Sequence, residues 1–147
     1  MGSSNLGYLV IKTEDAGATW YAVYNQPGLW LNSIYFPDIN TGYAVGPSGI
    51  IIKTINAGAT WNTLVSGTPA DLNSVFFTDV NTGYAVGYNN FIGRGTIIKT
   101  INGGATWDTL PSGTTKPLKS VLFTGSNTGY IVGYVGTILK TINAGST

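Results

Sequence analysis

The sequence contains no cysteine and no histidine in its 147 residues. Without Cys there is no disulfide, no thiolate nucleophile and no Cys-ligated metal; without His the usual zinc ligand and the usual general base are both missing. No metal and no cofactor are expected. Charge is scarce too: Asp, Glu, Lys and Arg make up 9% of the chain and almost cancel, for a net +1. Seven basic residues spread along the chain cannot neutralise a phosphate track, which argues against nucleic acid as a partner. No apolar run approaches the roughly 20 residues of a membrane-spanning helix. The opening Met1-Gly2-Ser3-Ser4-Asn5 also lacks the basic and apolar regions of an export signal. Membrane insertion is not expected, and the compartment stays open, because a signal removed beforehand would leave the same picture. What the chain has is 21 Gly, 9 Tyr and 4 Trp against one Met, a composition for short strands and tight turns. The fold class expected is all-β.

A Lys-Thr pair recurs at Lys12, Lys53, Lys99 and Lys140, in steps of 41, 46 and 41 residues. Periods of about 40–45 residues point to propeller blades of four strands. The A strand is carried by Leu31 to Phe36, Leu72 to Phe77 and Leu118 to Phe123, each followed by an Asn-Thr-Gly turn at Asn40, Asn81 and Asn127. The B strand opens at Gly42, Gly83 and Gly129, and the D strand at Trp20, Trp61 and Trp107. The C strand lies at Ile50 to Thr54, Thr96 to Thr100 and Thr137 to Thr141, with an orphan copy at Tyr8 to Thr13. The division expected is a leader at 1–7, a half blade at 8–28, blades at 29–69 and 70–115, and a partial blade at 116–147. Closed propellers use about four to eight blades, so these three blades' worth of strands cannot close a ring alone.

Between strands C and D a box recurs four times: Thr13, Asp15, Gly17, Trp20; Thr54, Asn56, Gly58, Trp61; Thr100, Asn102, Gly104, Trp107; and Thr141, Asn143, Gly145. An Asp or Asn here can accept backbone N–H groups, the Gly can take the turn conformation, and the Trp can pack inward. The boxes therefore read as structural, with Trp20, Trp61 and Trp107 buried and Trp30, in a connection after Pro27-Gly28, more exposed. The pattern resembles the Asp-box, or BNR, repeat, with Asn in place of Asp in three copies. The longer run Asn-Thr-Gly-Tyr-Ala-Val-Gly followed by Ile-Ile-Lys-Thr-Ile-Asn-Ala-Gly-Ala-Thr-Trp is similar to repeats of the photosystem II assembly and stability factor family. That resemblance implies the propeller fold and, for photosynthetic members, a role in holding a partner protein on a propeller face. Relatives of this repeat type among secreted bacterial proteins imply a secreted or periplasmic location.

Sialidases also carry such boxes, and a resemblance to them would imply an Arg cluster clamping a substrate carboxylate. The single Arg94 cannot supply it. Other glycosidases need two facing carboxylates, whereas Asp38 and Asp79 occupy equivalent A–B turns, Asp15 belongs to a box, and Glu14, Asp71 and Asp108 stand singly. No enzyme is expected. Lys12, Lys53, Lys99 and Lys140 read as solvated strand-edge residues that block unwanted pairing, and Tyr43, Tyr84 and Tyr130 as packing between blades.

Function in a repeat protein is best sought where one copy departs from the rest. Tyr88 to Gly95 forms a B–C loop five residues longer than its equivalents. Together with Trp30 and Lys116 from the D–A connections it would gather Tyr88, Asn89, Asn90, Phe91 and Arg94 on one face, a composition suited to a protein hot spot or to a sugar. The expected function is a self-associating propeller scaffold or protein-interaction module, with a carbohydrate-binding propeller and a filament-forming structural protein as alternatives. The favoured partner is a second copy, giving a six-bladed dimer in which the strand at Trp20 to Tyr24 completes the other copy's last blade.

Overall fold

A computed structural model describes residues 8–26 and 30–146; residues 1–7, where a leader was expected, and Pro27, Gly28, Leu29 and Thr147 lie outside the described residues. The strands are β1 (Tyr8–Lys12), β2 (Tyr21–Gln26), β3 (Ser33–Tyr35), β4 (Gly42–Val45), β5 (Ile51–Thr54), β6 (Asn62–Leu64), β7 (Asp71–Phe77), β8 (Gly83–Asn89), β9 (Arg94–Thr100), β10 (Asp108–Leu110), β11 (Leu118–Phe123), β12 (Gly129–Gly133) and β13 (Ile138–Thr141). They form four separate antiparallel sheets, each a run of neighbours in sequence: β1-β2, β3 to β6, β7 to β10, and β11 to β13. These are a C–D pair, two complete blades and an A–B–C blade. The only helical turn among the described residues is Pro47–Gly49.

Each blade buries one set of side chains against the next. Tyr43, Val45, Ile51, Leu72, Val75, Phe77, Ala85, Ile98 and Trp107 form the core between the second and third sheets. Tyr84, Val86, Ile97, Leu118, Val121 and Phe123 form the core between the third and fourth. The N-terminal pair is held more thinly, through Val10 and Tyr24 against Ala44, Ile52 and Trp61.

Glycine at the start of the B strand has a packing reason. A Cβ on Gly83 would lie 2.5 Å from the Phe77 ring, and one on Gly129 would lie 2.6 Å from Phe123. The A-strand Phe thus lies flat over its own sheet, where the next blade can stack on it.

Two sequence expectations need correction. The segment Tyr88 to Gly95 is not a free loop: Tyr88 pairs with Gly95 and Asn89 with Arg94, so the extra residues lengthen the β8–β9 hairpin and only its tip is a turn. Extending a ladder pairs backbone groups that a loop would leave to water. The first A strand, in turn, is shorter than Leu31 to Phe36, being ladder-paired only over Ser33–Tyr35.

Candidate functional site

The C–D turns share one hydrogen-bond pattern. The Thr54 hydroxyl accepts from Gly58 N–H at 3.0 Å and donates to Asn56 Oδ1 at 2.9 Å, and that oxygen also accepts from Thr60 N–H at 2.9 Å. The third turn repeats this with Thr100, Gly104, Asn102 and Thr106. In the first turn Asp15 takes the same place, and there the Thr19 hydroxyl donates to Asp15 Oδ2 at 2.6 Å. In the Asn turns the direction reverses, Asn56 Nδ2 donating to the Thr60 hydroxyl at 2.9 Å. A hydroxyl can serve as donor or acceptor, which is why Asn replaces Asp at no structural loss. Hydrogen bonds from Thr19 lower the Asp15 carboxyl to about 2. Asp38 and Asp79 cap their A–B turns, each accepting two backbone N–H groups, which hold both below the ordinary carboxylate range.

The repeated lysines do more than edge protection. Cross-strand pairing sets Tyr43 beside Lys53 and Tyr84 beside Lys99. Tyr43 Oη and Lys53 Nζ both donate to the Gly103 carbonyl in the next blade's C–D turn, at 2.8 and 2.7 Å. Tyr84 and Lys99 repeat this on the Ala144 carbonyl, at 2.9 and 2.8 Å. Burial pushes the Tyr43 hydroxyl up to about 12 and raises that of Tyr84, so both stay protonated donors. The solvated-edge reading is therefore wrong for Lys53 and Lys99. An ammonium bonded to a carbonyl and lying over a ring gains more than one left at an edge. Lys12 instead pairs with Glu14 at 2.7 Å, while Lys140 lies over Tyr130.

Between blades, Tyr43 stacks on Phe77 and Tyr84 on Phe123, at 3.9 and 4.2 Å between centroids. Within a blade, the D-strand Trp meets the A-strand Phe edge-on: Trp61 with Phe36 and Trp107 with Phe77. These two rules explain where the expected burial of Trp20 fails. Trp61 and Trp107 are 8% exposed, but Trp20 is 58% exposed, as open as Trp30. Its sheet holds no A strand, hence no Phe for the indole to close on. Phe36 is likewise 39% exposed, against 2% for Phe77 and 7% for Phe123, because no B-strand Tyr precedes it in the first sheet. At the other end Tyr130 and Lys140 meet no further sheet among the described residues, and the fourth sheet encloses an open apolar cavity of about 460 Å³ against the third. Sequence reasoning overlooked Phe36 and this cavity. The signal was present: every A strand ends in Phe, and matching each Phe to a Trp leaves Trp20 and Phe123 unmatched.

The face proposed from the insertion is only partly assembled. Asn89 is buried, and its Oδ1 accepts from Phe91 N–H within the hairpin tip. Asn90 donates to Asp71 at 2.8 Å, and Asp71 also accepts from Ser48 N–H at 3.0 Å. Tyr88 is half-buried, whereas Phe91 and Arg94 are exposed. The Lys116 carbonyl lies close to Gly95, so Lys116 neighbours the hairpin. Trp30 sits against Gly46, one blade away. A groove of about 710 Å³ runs beside the hairpin, lined by Asn89, Ile92, Arg94, Pro69, Pro111 and Thr114 among others. Its lining contains no aromatic ring.

No family model and no curated protein matches the sequence. Solved structures do. YCF48 bound to a D1 peptide superposes with a TM-score of 0.67 at 23% identity, over 80% of this chain and 38% of that one. The chain is an arc of a β-propeller. YCF48 from Cyanidioschyzon merolae matches to the same extent at 22% identity. The GH74 xyloglucanase from Xanthomonas campestris matches with a TM-score of 0.72 at 17% identity, over 90% of this chain and 23% of that one. The arc thus spans well under half the length of either kind of propeller, and its repeats resemble those of YCF48. At these identities the likeness establishes the fold.

Proposed function

We propose that the chain is a non-catalytic propeller scaffold that associates with a second copy to complete a ring and presents the resulting face to a protein. The carrying observation is that the contacts repeated between blades are left half-made at the two ends, with matching halves. Among the described residues no Tyr stacks on Phe36 as Tyr43 and Tyr84 do on Phe77 and Phe123, and no Phe stacks on Tyr130. Among the described residues the Ala57 carbonyl, equivalent to those of Gly103 and Ala144, receives no Tyr or Lys, and the Tyr130–Lys140 pair meets no such carbonyl. Two arcs joined head to tail satisfy both ends twice and leave no open blade face, the arrangement a twofold ring requires. The D1 peptide bound by YCF48 supports a protein as the further partner. A sugar has less support, because the groove beside the hairpin offers hydroxyls and one guanidinium without a stacking platform.

A double-mutant cycle tests the pairing. Phe36→Ala and Tyr130→Ala each weaken the dimer, and together they cost less than the sum, with a coupling of about 1 kcal/mol per aromatic pair. Strictly additive effects on the dimer dissociation constant would remove this seam from the account.

A further inference from the structure

The cavity at the C-terminal end is an indole socket, as the repeat shows. Around Trp107 stand Tyr43 and Leu64 of one blade, with Phe77 and Ile98 of its own. A Cβ on Gly104, in the same turn, would meet Leu64, Tyr43 and the Trp107 indole. One repeat later the equivalents are Tyr84, Leu110, Phe123, Leu139 and Gly145, and all five line the 460 Å³ cavity. The match extends to position, since a Cβ on Gly145 would meet Leu110 at 3.0 Å and Tyr84 at 3.6 Å. No described residue supplies the indole.

We infer that this socket binds Trp20 of a second copy, with β2 of that copy laid along β13 as the fourth strand of the blade. The inference rests on the self-association proposed above and names its site. Trp20 follows the same turn as Trp107 and is the exposed member of the set. Its strand is an outer strand, as β10 is, and β10 pairs with β9 through Asp108↔Lys99 and Thr109↔Ile98. Transferred by the repeat, Tyr21 faces Lys140 and Ala22 faces Leu139. Within its own chain Ala22 faces Ile11, so β13 of the partner replaces β1. One C strand stands in for its repeat equivalent, and exchange of equivalent elements is a low-cost route to a dimer. The gain is the burial of an indole and an apolar cavity wall, the kind of anchor that dominates interfaces.

The absence of cysteine from the chain makes a cross-link unambiguous. In the full chain, Ala22→Cys with Leu139→Cys should oxidise to a covalent species between chains, seen on a non-reducing gel and lost with either single variant. A ladder of higher multimers keeps the socket occupied by Trp20 and replaces the ring with an open filament. Dimers of unchanged mass that never cross-link overturn the inference while leaving self-association standing. A parent chain monomeric at every concentration overturns both. Two measurements stand apart from cysteine geometry. Trp20→Ala should raise the dimer dissociation constant by about 30-fold. The emission subtracted by Trp20→Phe should shift to shorter wavelength on assembly and lose its quenching by acrylamide. An indole quenched alike in dilute and assembled protein contradicts the socket.

Discussion

At the scale of single residues, the C–D turn contains a built-in comparison. Ala16, Ala57 and Ala144 hold φ near +55°, where the third copy has Gly103 at +64°. A left-handed backbone costs an L-residue roughly 1–2 kcal/mol and glycine little. Ala57→Gly is therefore expected to stabilise the protein by about 1 kcal/mol, less the entropy that the extra glycine gives the unfolded chain; a fall in melting temperature would show that the Cβ packs usefully. Asp15 gives a pH prediction. Its value is lowered from 3.8 to about 2 by the Thr19 hydroxyl and amide. The interaction is therefore complete above the ordinary carboxylate value and is lost as pH falls through about 2. The Thr19 amide resonance should titrate with a midpoint near 2 and stay flat in Asp15→Asn; a midpoint near 4 would mean that the carboxylate is not held. The acceptor role of this side chain was legible from Thr-x-Asp-x-Gly alone. The swap of donor and acceptor with Thr19 or Thr60 was not, because it depends on hydroxyl geometry.

At the scale of elements, the strands were legible because a 41-residue period and bounding glycines repeat whatever the surroundings. What each strand touches was not, since that depends on the neighbouring blade. The lysines show this: Lys12, Lys53, Lys99 and Lys140 are identical in sequence, yet among the described residues only Lys53 and Lys99 clasp the C–D turn of the next blade, while Lys12 pairs with Glu14. The insertion shows it differently. Asn89 and Asn90 look like free loop amides, but the longer ladder buries the first and ties the second to Asp71. Asn73, at a register shift in β7, donates across blades to the Leu118 carbonyl at 2.7 Å, as Asn32 does to Leu72. Asn73→Ala should cost about 1 kcal/mol in chemical denaturation and leave the circular dichroism of the strands intact. A loss of strand signal would mean that the bond builds the sheet rather than joining two sheets.

At the scale of the whole molecule, four sheets in a row bury three seams and leave two unlike ends. The exposed Trp20 and Phe36 at one end and the open cavity with Tyr130 at the other are contacts that the interior blades make with one another. Burial read from motif membership therefore misplaced Trp20, since an indole's surroundings in a propeller come from its own blade's A strand and the blade before it. The central claim is that these ends are made for each other in separate copies. Native mass spectrometry of the full chain over a range of concentrations tests it most directly. A species at twice the chain mass that persists on dilution into the micromolar range is the expected result. A monomer at every concentration would contradict it.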